Sequence, residues 1–345
     1  MKVMLDRLQE MLIGASRTFA LNIPKLPSPL VEAVTLGYLL FRNADTIEDA
    51  YLWSKEERIR ELDRFIAVLN QPEDSDLAQA FAQRYTHEER IENPTYVELL
   101  RQTPFLMEQL HALPAPYAQV IIEHVTRTAE GMQTWVQHLD STNTLSFSRL
   151  KQLDDYCYTV AGIVGEMLTT LFAIYSPHIE EGRVLYLRTL EIGYAAGLQL
   201  TNIIKDSFRD HTEGRYYIPP QYLPLGPHDT SDRVIPILVY AYRHLIEGIE
   251  YVLGVPPEES GIRKFCLIPV VLAAATLDRL LQNRADLYSG ADVKINRAKV
   301  FELLNEVDQV ACDNSLIQQL WNKLTMPIAA TSRRFTPSQV FIDPS

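Results

Sequence analysis

The segment YLLFRNADTIEDA, residues 38–50, places three carboxylates directly after an apolar helical stretch. On an α-helix, Asp45 and Asp49 return to nearly the same face because they lie four residues apart, and Glu48 lies beside them. Like charges at this spacing weaken a helix by about 0.2–0.5 kcal/mol per pair, unless a cation offsets them. The segment therefore predicts a helix with one acidic face, and Arg42 lies about one turn before that face.

A second segment, TNIIKDSFRD at residues 201–210, repeats the arrangement. Asn202, Asp206 and Asp210 lie at i, i+4 and i+8, which makes one stripe about 12 Å long. We expect the two acidic stripes to face each other across a helical bundle and to supply oxygen ligands from both sides. Magnesium prefers such ligands and commonly bridges carboxylates to substrate phosphates. The chemistry that suits this arrangement is ionisation of a diphosphate, because the metal neutralises the leaving group.

The alternative interpretation is that each stripe is an ordinary solvated helix face. Both stripes, however, begin where an apolar helix face ends, and basic residues lie close to them in the sequence. Such side chains bind phosphate oxygens, and arginine does so in bidentate fashion. The candidates are Arg17, Arg42, Lys205 and Arg215.

The composition is that of a globular protein, with 345 residues of which 47% are hydrophobic. A formal net charge of −12 argues against sequence-independent binding of nucleic acid, which needs clustered basic residues. The three cysteines lie far apart, which indicates a reducing compartment and no structural zinc.

The N-terminus lacks the apolar core of a secretory signal, and the longest uncharged runs are shorter than the ~20 residues that span a bilayer. We expect a cytoplasmic location. Peripheral contact with a membrane, which would help to release an apolar product, stays open at this stage. The oligomeric state is not readable from the sequence.

Apolar residues recur at three- and four-residue spacing through most of the chain, and alternating strand patterns are scarce. The pattern predicts an all-α fold with one helical domain over residues 1–325. Residues 326–345 lose the periodicity and are expected to form a flexible tail.

A third segment, YCYTVAGIVGEML at residues 156–168, is almost entirely apolar. Its simplest interpretation is an ordinary buried helix. The functional alternative is one wall of a hydrocarbon tunnel, lined by Val160, with Tyr156 near the polar mouth. There the tyrosine would accept a proton or stabilise a cation.

Five segments in this order resemble the squalene/phytoene synthase family of head-to-head prenyl transferases, over about residues 11–300. The resemblance implies a single-domain helical bundle of the isoprenoid synthase type with a central hydrophobic cavity. Two prenyl diphosphates would condense there through a cyclopropyl diphosphate. The segments are SRTFALNIPKLP (16–27), YLLFRNADTIEDA (38–50), YCYTVAGIVGEML (156–168), QLTNIIKDSFRDHTEGRYYIP (199–219) and FCLIPVVLAAATL (265–277).

The resemblance also implies roles for individual residues. The implied magnesium ligands are Asp45, Asp49, Asn202, Asp206 and Asp210. The implied catalytic residues are Tyr156, Arg42, Tyr38 and Arg215. The implied substrate-binding residues are Ser16, Arg17, Thr18, Phe19, Tyr38, Arg42, Val160, Gln199, Lys205, Arg215, Phe265, Cys266 and Pro269. One position departs from the family pattern: Arg209 stands where an acidic residue usually precedes the last aspartate, which makes Asp210 the less secure ligand.

Within the family, the segment KFCLIPVVLAAATL followed by YSGADVKINRAKV resembles squalene synthases of the bacterial type. This implies two farnesyl diphosphates per turnover, presqualene diphosphate as the intermediate, and NADPH as the reductant. YCYTVAGIVGEML and QLTNI are closer to carotenoid-forming relatives, so a phytoene or dehydrosqualene synthase without a reductant is the alternative.

Two further classes fit the sequence less well. A class I terpene cyclase usually has an adjacent aspartate pair that the first stripe lacks. A non-catalytic scaffold would be expected to lose the aspartates or the phosphate-facing arginines, which are present here.

Overall fold

A computed structural model describes residues 2–16, 18–224, 232–287 and 293–335 of the chain. The structure is 77% helical, and across these ranges its strands are two short ones that pair in parallel. The predicted all-α fold is therefore confirmed. The chain divides into two compact units, of which the first holds residues 1–143 and 166–177 and the second holds residues 144–165 and 178–345.

The first unit is built almost entirely from the N-terminal helices. They are α1 (Lys2–Ala15), α2 (Phe19–Asn22), α3 (Leu30–Glu48), α4 (Lys55–Asn70), α5 (Ser75–Gln83), α6 (Pro94–Arg101), α7 (Thr103–Ala112) and α8 (Ala115–Gln137).

The second unit contains the two strands and most of the remaining helices, and the chain passes from the second unit into the first within α10. A π-helical turn, Tyr158–Gly162, separates α9 from α10. The elements are β1 (Leu145–Ser146), α9 (Leu150–Cys157), α10 (Ile163–Tyr175), α11 (Glu181–Arg188), α12 (Glu191–Thr212), β2 (Arg215–Tyr216), α13 (Ile235–Gly254), α14 (Ser260–Gln282), α15 (Arg297–Val310) and α16 (Asn314–Ser332).

Side chains at several helix starts satisfy the backbone N–H groups that the first turn leaves without partners. Ser54 and Glu57 form a reciprocal capping box at the start of α4. Asn93 caps α6, and Pro94 follows at the first helical position, where its fixed φ suits the helix. The sequence therefore encodes these helix starts locally.

The C-terminal boundary predicted at residue 325 falls inside α16, which continues to Ser332. Pro327 lies within this helix, and Ile328 is fully buried. Apolar contact thus extends the helix through a proline that normally disfavours it. Residues 336–345 of the predicted tail lie outside the described residues, and the single domain over 1–325 stays a prediction.

The two helices that carry the acidic stripes are well packed within their own units. In the first unit, α3 packs against α8 and α1 and buries Leu36, Leu39, Leu40 and Ile47. Each fully buried aliphatic side chain of this size stabilises the fold by about 2 kcal/mol. In the second unit, α12 packs against α13 and α14. The backbone of each stripe is therefore held by a hydrophobic core.

Gly197 allows the close approach of α12 to α13. A Cβ atom at this position would lie 2.8 Å from the backbone nitrogen of Leu245 and 3.0 Å from the carbonyl carbon of His244. Because both neighbours are backbone atoms, they cannot move aside without shifting the helix. The absence of a side chain at residue 197 is thus a condition for this packing.

We expect Gly197→Ala to lower the free energy of unfolding by roughly 1–3 kcal/mol, since the added methyl group overpacks the contact. Urea unfolding followed by circular dichroism measures this change. Gly182→Ala is the matched control, because a Cβ atom at position 182 meets nothing within 4 Å. That variant should leave stability unchanged or raise it by less than about 1 kcal/mol. Equal stability of the two variants would contradict the packing described for α12 and α13.

Candidate active site

Polar residues form a partly exposed stripe along the C-terminal half of α3. Tyr38, Arg42, Asp45 and Asp49 lie at i, i+4, i+7 and i+11, and all four are partly exposed. The residues between them on the helix are mostly buried, as in Asn43–Ala44 and Thr46–Glu48. The stripe is therefore a narrow polar line on a buried helix, which disfavours the interpretation as a generally solvated face.

Arg42 supplies the cation that the acidic face of α3 requires. Its guanidinium forms an ion pair with Asp45, and Nη2 donates a hydrogen bond to the Tyr38 hydroxyl at 3.2 Å. The same group lies over the rings of Tyr38 and Tyr96, with 5.7 and 5.3 Å to the ring centroids. Burial alone would lower the pKa of Arg42, but Asp45 and the tyrosines raise that pKa above its ordinary value overall. A permanent positive charge thus lies beside the first carboxylate.

The structure corrects the predicted position of Glu48. This residue is buried, whereas Asp45 and Asp49 are partly exposed. The Glu48 carbonyl oxygen accepts a hydrogen bond from Nη1 of the buried Arg58 at 3.0 Å. Residues three and four apart lie on adjacent rows of a helix, so packing against α4 separates Glu48 from its neighbours. The first stripe therefore offers two carboxylates rather than three.

The segment before α3 contributes further predicted residues to the same region of the first unit. The Ser16 hydroxyl accepts a hydrogen bond from the backbone N–H of Phe19 at 3.1 Å. The Phe19 ring packs against the Tyr38 ring with 4.9 Å between centroids. Thr18 is exposed, and Arg17 lies outside the described residues. The structure thus places Phe19, whose backbone N–H is hydrogen-bonded to Ser16, against Tyr38 at the start of the α3 stripe.

A comparable stripe lies on α12 in the second unit. Gln199, Asn202, Lys205 and Asp206 are at least partly exposed, while Thr201, Ile203, Ile204 and Ser207 are buried. The Lys205 ammonium lies 3.0 Å from a carboxylate oxygen of Asp206 and 3.4 Å from the amide oxygen of Asn202. As on α3, a cation from the same helix lies beside the oxygen-bearing side chains, here those of Asp206 and Asn202.

Asp210 differs from the other predicted ligands because it is only 6% exposed. Four residues turn an α-helix by about 400°, so residues at i, i+4 and i+8 drift by ~80° in total. Asn202 and Asp206 therefore remain on the accessible line and Asp210 does not. Arg209 is 70% exposed, and its Nε lies 3.6 Å from a carboxylate oxygen of Glu213. This arginine faces solvent beside Glu213.

Arg215 follows α12 after a tight turn. Gly214 has φ of 77°, a conformation that favours glycine, and it ends the helix just before β2. An Nη2 atom of Arg215 lies 3.4 Å from a carboxylate oxygen of Glu213, and the arginine side chain is largely buried. The turn therefore fixes a second guanidinium near the C-terminal end of the α12 stripe.

Tyr156 is buried in a group of three aromatic residues. Its hydroxyl lies 3.0 Å from the hydroxyl of Tyr217, and the two rings stack with 4.7 Å between centroids. Phe147 contacts both rings, at 5.8 and 5.7 Å. Tyr217 and Phe147 are the functional candidates that the sequence did not reveal. The available signal in the sequence was the RYY segment, in which Tyr217 follows Arg215 by two residues.

The helical segment that follows Tyr156 has two partly exposed valines and a glycine that lies close to a neighbouring helix. Val160 and Val164 are partly exposed among buried neighbours. A Cβ atom on Gly165 would lie 2.5 Å from the carbonyl oxygen of Glu191, so this glycine admits α12. The π-helical turn over Tyr158–Gly162 shifts the helix phase, so Tyr156 and the residues after the turn are not related by α-helical spacing.

The predicted substrate-binding residues of α14 lie in the interior of the second unit. Phe265, Cys266 and Pro269 are buried, and Pro269 lies inside the helix. The carbonyl oxygen of Cys266 accepts a hydrogen bond from the Tyr194 hydroxyl at 3.5 Å. Burial raises the pKa of the Cys266 thiol, so this group stays protonated. These residues pack against α12, and substrate contact stays a prediction for them.

The side chains of both stripes offer oxygen atoms, which are the type of ligand that magnesium binds. Carboxylate and amide oxygens are the hard ligands that this ion prefers, and it usually keeps several waters. Among the residues that the structure describes, no group of three His, Cys, Asp or Glu side chains is arranged to hold a metal ion.

A cavity of about 510 Å³ lies elsewhere in the second unit, among α14, α16 and the segment that starts α15. None of the predicted site residues lines it. The candidate functional residues are therefore the α3 stripe in the first unit, and the α12 stripe with the aromatic group in the second.

Two helical stretches, Leu150–Tyr175 and Ser260–Gln282, are long and apolar enough to cross a membrane by length and composition. The buried share of their apolar windows is 56% and 78%. Core helices of soluble proteins meet the same criterion, so these stretches are weak evidence for a membrane span.

The chain is similar to known proteins in sequence and in fold. A sequence model of the squalene/phytoene synthase family matches residues 12–299. The squalene synthase of Yarrowia lipolytica is 29% identical over 336 residues, which cover 90% of this chain and 68% of that protein. The squalene synthase of Saccharomyces cerevisiae is 29% identical, with 83% of this chain and 63% of that protein covered. The chain thus spans about two thirds of the length of the curated relatives it matches.

Solved structures with the same fold include a complex of TcSQS with the ligand BPH1237. Its TM-score is 0.77 at 24% identity, and the match covers 97% of this chain and 93% of that one. A dehydrosqualene synthase in complex with a ligand has a TM-score of 0.56 at 16% identity, with 89% and 96% covered. At these identities the likeness shows a shared fold.

Proposed function

Because the chain belongs to the squalene/phytoene synthase family, we propose that it is a magnesium-dependent squalene synthase. It would condense two farnesyl diphosphates head to head, form presqualene diphosphate, and reduce that intermediate to squalene with NADPH. The observation that carries the proposal is the pair of narrow polar stripes, each on a mostly buried helix with a cation beside its carboxylate.

Asp45 and Asp49 on α3, and Asn202 and Asp206 on α12, are the residues that would hold magnesium. When bound, magnesium neutralises the charge that develops on a departing diphosphate. The side chains of Asp45 and Asp206 are 31% and 37% exposed, which leaves their oxygens accessible to a metal. The burial of Asp210 argues against direct contact between that carboxylate and a metal.

Basic side chains would bind the diphosphate oxygens that the metal leaves free. Arg42 is oriented by Tyr38 and Asp45, and its fork geometry suits two phosphate oxygens at once. Lys205 offers a point charge on α12, and Arg215 lies just beyond the end of that helix. A chain with a net charge of −12 can thus attract a diphosphate through local groups.

Tyr156 is the proposed catalytic residue of the hydrocarbon region. Ionisation of an allylic diphosphate leaves a carbocation, which an electron-rich phenol oxygen and aromatic faces stabilise. The buried position of Tyr156 beside Tyr217 and Phe147 keeps water away from such a cation. Val160 extends the apolar surface beyond the tyrosine.

The reductant belongs to the proposed activity, because forming squalene from presqualene diphosphate requires a hydride donor. The protein would act in the cytoplasm with peripheral membrane contact, because its product is an insoluble hydrocarbon.

We expect Asp45→Asn and Asp206→Asn each to lower turnover of farnesyl diphosphate by at least about 100-fold, since a carboxylate that neutralises transition-state charge is lost. Steady-state assays with saturating magnesium measure the rate, and circular dichroism verifies that helix content is retained.

The matched controls for this prediction are Asp63→Asn in the first unit and Asp232→Asn in the second. Asp63 accepts a hydrogen bond from Gln133, and Asp232 pairs with Arg284 at 2.9 Å on the surface. Both controls should turn over normally. A rate near that of the unmodified enzyme in Asp45→Asn or Asp206→Asn would show that the stripes are surface features.

The choice between squalene synthase and a phytoene or dehydrosqualene synthase depends on the reductant. We expect purified protein with farnesyl diphosphate and magnesium to release squalene only when NADPH is added, and to accumulate presqualene diphosphate without it. Mass spectrometry of the products measures this. A product that is the same with and without NADPH would reject the squalene synthase assignment in favour of the alternative.

A further inference from the structure

Two tyrosines form a buried, directly hydrogen-bonded pair in the second unit. Tyr156 is 4% and Tyr217 is 6% exposed, and their hydroxyl oxygens lie 3.0 Å apart. The rings stack with an interplanar angle of 25°. A buried phenol pair with both ring and hydroxyl contact has little rotational freedom, so the hydroxyl of one residue sets the orientation of the other.

The short sheet holds this pair in place. The backbone N–H of Leu145 donates to the carbonyl of Gly214, and that of Phe147 donates to the carbonyl of Tyr216, both at 3.0 Å. Phe147 and Tyr217 therefore leave the sheet at the same end, one after each strand, and their rings meet the ring of Tyr156. A contact between residues 61 positions apart is thus fixed by backbone hydrogen bonds.

The direction of the shared hydrogen bond decides what the Tyr156 oxygen can do. A phenol has one hydrogen to donate and lone pairs that accept. If Tyr156 donates its hydrogen to Tyr217, its oxygen can turn a lone pair toward a carbocation. If the Tyr156 hydrogen pointed toward the cation instead, its partial positive charge would oppose the cation.

We propose that Tyr217 is a positioning residue for Tyr156: it accepts the Tyr156 hydroxyl hydrogen and so directs the lone pairs of the Tyr156 oxygen toward the substrate carbocation. This inference rests on the proposed function, because the catalytic role of Tyr156 belongs to it. Arg215 lies in β2 two residues before Tyr217, so the backbone joins the tyrosine pair to a basic residue proposed to bind diphosphate.

The test compares the unmodified enzyme with Tyr156→Phe, Tyr217→Phe and the double variant. Tyr217→Phe removes one oxygen and retains the ring stack. We expect it to lower kcat about 10-fold with KM for farnesyl diphosphate nearly unchanged, because orientation is lost while binding is kept. The double variant should turn over at the same rate as Tyr156→Phe, since Tyr217 acts only through Tyr156.

Tyr251→Phe is the matched control. Tyr251 is a buried tyrosine of the same unit, and its ring stacks on Tyr194 at 4.8 Å and 24°. The control also loses one buried hydroxyl from a stacked pair, and its kcat should stay that of the unmodified enzyme. A normal kcat in Tyr217→Phe, or losses that multiply in the double variant, would overturn the positioning role.

A second measurement does not depend on turnover. With 3-fluorotyrosine at position 156, the fluorine resonance reports the state of that hydroxyl by NMR. Tyr217→Phe should shift this resonance, because the Tyr156 hydroxyl loses the oxygen that accepts its hydrogen. An unchanged resonance would overturn the inference. Failure of the unmodified enzyme to convert farnesyl diphosphate would instead reject the proposed function and leave the fluorine result to decide the pairing.

Discussion

A carboxylate on a mostly buried helix is stabilised by a cation beside it, because a partly buried charge keeps only part of its hydration. This constraint shapes both candidate stripes. On α3 the Arg42 guanidinium pairs with Asp45, and on α12 the Lys205 ammonium lies 3.0 Å from Asp206. In the proposed function, the same cations would hold a phosphate when a metal is bound to the carboxylates. Each stripe is thus stable without a ligand and suited to receive one.

The remaining structure supports this arrangement through ordinary packing. Gly197 and Gly165 allow close contacts of α12 within the second unit, and the aliphatic face of α3 fixes the first stripe. Aromatic rings around Tyr156 exclude water from the apolar part of the site. A protein of negative net charge can bind polyanionic substrates in this way, because the relevant field is local and short in range.

The sequence predicted the all-α fold and the accessible positions of Asp45, Asp49, Asn202 and Asp206, since helical periodicity is a local property. Glu48 was predicted on the acidic face, but packing buries it, and spacing alone does not show which neighbouring row of a helix is covered.

Tyr217 was missed because its partner lies far away in the sequence, and only strand pairing brings the two rings together. The π-helical turn after Tyr156 was missed as well, because the apolar spacing of this segment predicts an ordinary helix.

The π-helical turn after Tyr156 also changes the direction in which the later residues of this helix point. One extra residue in a helical turn rotates everything after it by about 100° relative to everything before it. The positions of Val164 and the residues beyond it relative to Tyr156 are therefore set by this turn and not by α-helical spacing. A change in the length of this one turn would rotate the downstream apolar residues about the helix axis while Tyr156 stays against Tyr217.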